Sequence, residues 1–193
     1  MQNTKLRTMV LISLFAALTA VGAFIKIPTP VVPFTLQFFF CSFAGLLLGG
    51  KNAFYSQLLY IFIGLIGLPV FTGGGGPMYI FQPTFGYLIG FAFCSLFIGR
   101  FADKTEKLHF GSLFGSIVLG LMIVYLFGVA HLYAVLNFYL DKDVSLWNSI
   151  LIGFLPYITF DVLQSAIIAY LALRILPILR KSGYAPFPHL ADK

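Results

Sequence analysis

Six long stretches of this 193-residue chain carry almost no charge. That constrains the fold more than any other feature. A helix needs about 20 apolar residues to cross the hydrocarbon of a bilayer. These stretches have helix length. The sequence therefore predicts an all-α membrane protein folded as a single integral-membrane domain over 1–193. Composition agrees: 9% of residues are charged, against about a quarter in soluble domains.

The spans are expected at about 8–25, 34–49, 53–71, 78–99, 110–133 and 147–173. Span two is short and span six long, which implies tilts and breaks. Pro156 interrupts the start of the sixth. Its ring frees backbone groups that neighbours or a cavity must satisfy. The first span follows Lys5 and Arg7 and could imitate a signal peptide, but it reads as a transmembrane helix.

The net charge of +6 is not a nucleic-acid footprint, because the cations sit at the ends of apolar segments. Ten of the 12 Lys and Arg fall on one side of the six-span scheme. Lys26 and Lys142 fall on the other. The positive-inside rule then puts both termini in the cytoplasm. Connections 26–33, 72–77 and 134–146 face outward. Pro28, Pro30 and Pro33 stiffen the first of these, and four glycines loosen the next.

Asp161 lies inside the last apolar segment with no Lys or Arg nearby in sequence. A carboxylate at that depth should face a protein interior or wet cavity and have a partner there. A ligand that donates hydrogen bonds is a candidate partner; a structural bond to a buried hydroxyl and a proton site are the alternatives. Gln164 is almost one turn later, on the same helix face. Gln37 follows the proline-rich loop. Thr72 leads into Gly73, Gly74, Gly75 and Gly76, whose backbone can approach a ligand closely or form an anion nest. The run Gln82 to Tyr87 adds an amide, a hydroxyl and the Tyr87 phenol beside aromatic surface. Such a mixture suits a small-molecule pocket.

No phosphate loop, zinc-protease, CxxC or nucleophile-elbow motif occurs, so no metal or cofactor site is read and enzymatic chemistry is poorly supported. Cys41 and Cys94 read as small buried hydrophobes. His131 reads as interfacial. Ser13, Ala16, Ala20 and Ala23 form a small-residue stripe that allows close helix approach, within this bundle or with a partner. Three Gly-xxx-Gly pairs, starting at Gly45, Gly86 and Gly111, read as packing sites. No inverted repeat is detectable, which argues weakly against a self-contained transporter.

Taken in order, several motifs resemble BioY, the biotin-specific S component of energy-coupling factor transporters. They are Ala16-Ala17-xx-Ala20, Pro30-xx-Pro33-xxx-Gln37, Ala44-Gly45-xxx-Gly49, Gly67-Leu68-Pro69-Val70-Phe71, Pro83-xx-Gly86-Tyr87, and Pro156 followed by Asp161. The resemblance covers nearly the whole chain. It implies six membrane helices and capture of biotin at the outer face. It also implies delivery with a transmembrane T component and two ATPase subunits, the first helix's Ala16, Ala20 and Ala23 face meeting the T component. Asp161 matches the family's pocket acid, which would accept from the ureido N–H groups.

The chain also departs from the family pattern. Glycine near Gly75 stands where many members have Asn, Leu88 where many have Arg, and Gln164 where many have Lys. The biotin carboxylate is left without an evident side-chain partner. Backbone N–H groups of Gly73 to Gly76, the hydroxyls of Thr72 or Tyr87, or Lys26 remain as candidates. Two other classes stay open at this point: a solo proton-coupled carrier and an intramembrane lipid-modifying enzyme.

Overall fold

The computed structural model describes residues 4–29, 31–105 and 109–181. Pro30, Lys107, His189, Lys193 and the segment 182–188 lie outside the described residues. Helix α1 spans Thr4–Phe24, α2 Gln37–Leu48, α3 Gly50–Leu65, α4 Phe85–Lys104, α5 Phe110–Ala134, α6 Leu146–Gly153 and α7 Leu155–Lys181. Four helical segments are long and apolar enough to cross a membrane: Lys5–Phe24, Phe85–Lys104, Phe110–Tyr139 and Leu155–Leu179.

The differences from the expected spans have local causes. After α1, Pro28 and Pro33 keep the chain extended. Lys26–Ile27 (β1) and Phe34–Thr35 (β2) pair antiparallel, with Lys26 opposite Thr35. The expected second span shortens to the 12 residues of α2. α3 ends at Leu65, short of the expected limit, and Gly67 then takes a positive φ of 113° ahead of Pro69. α4 starts at Phe85 and not at 78. Pro83 holds Gln82 extended (ψ 136°), and Pro77–Phe81 forms only a 3₁₀ turn. A π-helical turn, Val135–Tyr139, prolongs α5.

The expected sixth span is two helices. The break falls at Phe154, just before Pro156. Pro156 lies in the first turn of α7, where its missing N–H costs no helical bond. In an unbroken helix the Gly153 carbonyl would accept from the Tyr157 N–H. That N–H instead bonds Phe154 O at 3.1 Å. The Tyr87 hydroxyl donates to the Gly153 carbonyl at 2.8 Å. A neighbouring side chain thus satisfies the freed group, as lipid surroundings demand.

Packing between helices relies on small residues and buried polar links. A Cβ at Gly86 or Gly90 would collide with α5, at the backbone of Phe127 and Val124 respectively. Gly45 lies as tightly against α4. Gly111 and Gly115 have nothing beside them, so the third glycine pair is no packing site among the described residues. Gln57 Nε2 donates to Thr19 Oγ1 at 3.1 Å, joining α3 to α1. Cys41 and Cys94 are buried and free.

The two ends of the bundle differ. At one end Gly49 alone separates α2 from α3, and Asp103 Oδ2 accepts from the Gly50 N–H at 3.2 Å. At the other end the connections 25–36, 66–84 and 135–154 gather.

Candidate functional site

At this end lies a cavity of about 600 Å³, including open space at its mouth. Its walls combine the first connection (Val32 to Thr35), α2, α4, α5 and the start of α7, with Thr72 and Tyr79 from the glycine-containing connection. Most of the lining is apolar or aromatic. Asp161 is the one acid in it among the described residues.

Three predicted residues line the cavity together with Asp161: Gln37, Thr72 and Tyr87. Asp161 Oδ2 accepts a hydrogen bond from the Tyr125 hydroxyl. Tyr125 is held edge-on to Tyr87 (centroids 6.4 Å, 85°) and to Phe154 (4.7 Å, 83°). The acid therefore sits on an aromatic wall. A carboxylate offers about four lone-pair sites, so one phenol leaves acceptor capacity for a ligand.

Gln37 forms part of a relay that fixes the opposite wall. Thr35 Oγ1 donates to Gln37 Oε1 at 3.1 Å. Gln37 Nε2 donates to the Tyr60 hydroxyl at 2.9 Å, and Tyr60 donates to Val70 O at 3.1 Å. Both ends of the Gln37 amide already have protein partners.

Aromatic stacking anchors the glycine-containing connection. Phe71 is buried between Tyr60 (5.4 Å, 89°) and Tyr79 (4.5 Å, 42°). Its ring fills the space that a Cβ on Gly64 would take. The Tyr79 hydroxyl bonds Thr72 Oγ1 at 3.0 Å and Thr84 Oγ1 at 3.1 Å. Gly73, Gly74, Gly75 and Gly76 are not cavity-lining residues. Gly74 and Gly76 have φ of 117° and 108°, a region open to glycine at little cost. Their N–H groups bond Phe71 O (3.2 Å) and Gly64 O (2.7 Å). The run builds the loop, and those two N–H groups are engaged internally instead of forming a nest.

Gln164 does not line the cavity either. It is buried, and its Oε1 has no hydrogen-bond partner among the described residues. Its shared helix face with Asp161 does not bring both to the site. The small-residue stripe also needs correction as a docking surface. Ala16 and Ala23 are 3% and 0% exposed, packed inside the bundle and closed to a partner. Ala20 is half-buried against the core. His131 bonds Ile80 O at 3.0 Å, bracing the 3₁₀ turn against α5.

Sequence reasoning missed Tyr125, Tyr157, Tyr79 and Thr35 as site residues. Tyr125 had a usable signal: a phenol in the middle of an apolar span needs a polar partner. Tyr157 bonds Thr29 Oγ1 at 3.0 Å and so ties the first connection over the cavity.

The fold and site define a helical membrane-protein class with a preformed small-molecule cavity at one end. The lining pairs an acid with a phenol and offers no nucleophile–base pair among the described residues. The BioY family's sequence profile matches residues 1–181. A probable biotin transporter BioY from Lysinibacillus sphaericus is 51% identical over 178 residues, covering 91% of this chain and 89% of the relative. The biotin transporter BioY of Thermotoga maritima is 39% identical over 171 residues, 88% of this chain and 96% of the relative. A crystal structure of the S component for biotin from an ECF-type ABC transporter superposes with a TM-score of 0.76. It is 28% identical, and 94% of each chain is covered. The chain belongs to the BioY family.

Proposed function

We propose that this protein captures biotin at the outer face of a prokaryotic cytoplasmic membrane, as the S component of an energy-coupling factor importer. The observation that carries the reading is the cavity itself. It is mostly apolar, it is walled in part by the first and the glycine-containing connections, and among the described residues its one acid is Asp161. In this reading α1, α2, α3, α4, α5 and the α6–α7 pair act as six spans. α2 reaches the outer face through its extended lead-in. Both termini are cytoplasmic under the positive-inside rule. Residues 1–193 act as one domain.

Biotin's ureido ring has two N–H donors, and Asp161 accepts from them. The Tyr125 phenol keeps the carboxylate aimed. Thr72, Tyr87 and Gln37 shape the walls, and the glycine-containing connection gates entry. The chain has no phosphate-binding loop, so ATP hydrolysis falls to separate ATPase subunits, coupled through a T component. Ala16 and Ala23 being buried, that component meets a different surface of the bundle.

Titration calorimetry of the detergent-purified chain tests the reading. Tight biotin binding with no binding of thiamine or riboflavin is expected. No biotin binding by a folded, monodisperse sample would overturn it.

A further inference from the structure

The cavity has an acid but no cation in its lining: among the described residues neither Lys, Arg nor His borders it. A positive charge at the rim would stabilise a carboxylate carried by the ligand. The neutral groups there are largely engaged. The Thr72 hydroxyl is bonded to Tyr79, and the Tyr87 hydroxyl to Gly153 O. The Gly74 and Gly76 N–H groups close the loop on itself.

Lys26 is placed differently. Its backbone pairs opposite Thr35, a lining residue. Its Nζ reaches across to the carbonyl of Thr72, another lining residue, at 2.6 Å. The ammonium therefore bridges two of the connections that form the mouth. It is exposed, and among the described residues it bonds this one neutral acceptor, with no carboxylate in contact. An ammonium has three donors, so two remain, and a carbonyl does not neutralise the charge.

We infer that Lys26 holds the acid end of the ligand at the mouth, while the polar ring lies toward Asp161. This rests on the biotin reading above. Lys26 then selects for the free acid while keeping its bond to the glycine-containing connection.

The test compares biotin with its neutral amide, biotinamide, on unmodified protein, Lys26→Met and Lys26→Arg. Met keeps an apolar stem without the charge. An ion pair at an exposed rim supports a preference of up to about fivefold for the acid. Lys26→Met should lose that factor for biotin and bind biotinamide as before. Lys26→Arg should keep most of the preference. Lys26→Met that binds biotin as tightly as unmodified protein overturns the inference. So does equal weakening toward both ligands, which would mark a purely structural role. If the unmodified protein binds neither ligand, the biotin reading itself fails. Lys26 is exposed, so the folded state should survive; size-exclusion profiles check this.

Discussion

Replacing Asp161 with Asn tests the centre of the site with the least change of shape. The carboxylate accepts from the Tyr125 phenol. Its remaining lone pairs are available to donors on a ligand. Asparagine offers a single oxygen. If that oxygen keeps the Tyr125 bond, the amide N–H₂ faces the ligand's N–H groups, donor against donor. A hydrogen bond to a charged group contributes about 1.5–3 kcal/mol. At about 1.4 kcal/mol per factor of ten, Asp161→Asn should weaken biotin binding about tenfold to a hundredfold. The fold should hold, because the substitution removes a charge from the interior and keeps the side chain's volume. Calorimetry gives the affinity, and a thermal unfolding curve of the detergent complex gives the stability. Unchanged affinity, in a variant that melts normally, would refute the assignment of Asp161 to the ligand.

Two further substitutions probe the scaffold. Tyr87→Phe leaves the Gly153 carbonyl at the α6–α7 break without its donor; an unsatisfied buried group costs about 1–3 kcal/mol. A lower melting temperature is expected, and an unchanged one would mean that another group has taken over the carbonyl. Gly90→Val drives a side chain into the α5 backbone at Val124, whereas Gly111→Val meets open space. Overpacking costs about 1–3 kcal/mol or more. The first variant should lose monodisperse yield and the other keep it, and the opposite order in size-exclusion profiles would contradict the packing described.

Sequence alone determined the class of protein and the elements that matter most. Hydropathy summed over about 20 residues marks helices for a bilayer. The cost of charge in lipid marked Asp161, and the ring chemistry of Pro156 marked a break in the last span. The resemblance in ordered motifs pointed to the family. What tertiary structure alone decided was direction. In water, the polar face of a helix shows which side is inside. In lipid both sides are apolar, so the sequence does not mark the buried one. Hence Ala16 and Ala23 face the bundle, Gln164 parts from Asp161, and Gly111 meets nothing among the described residues. Tyr125 became the partner of Asp161 from 36 positions away. The glycine run followed the same logic. Four glycines permit many loop paths, and only the seating of Phe71 between Tyr60 and Tyr79 selects the one that closes the cavity.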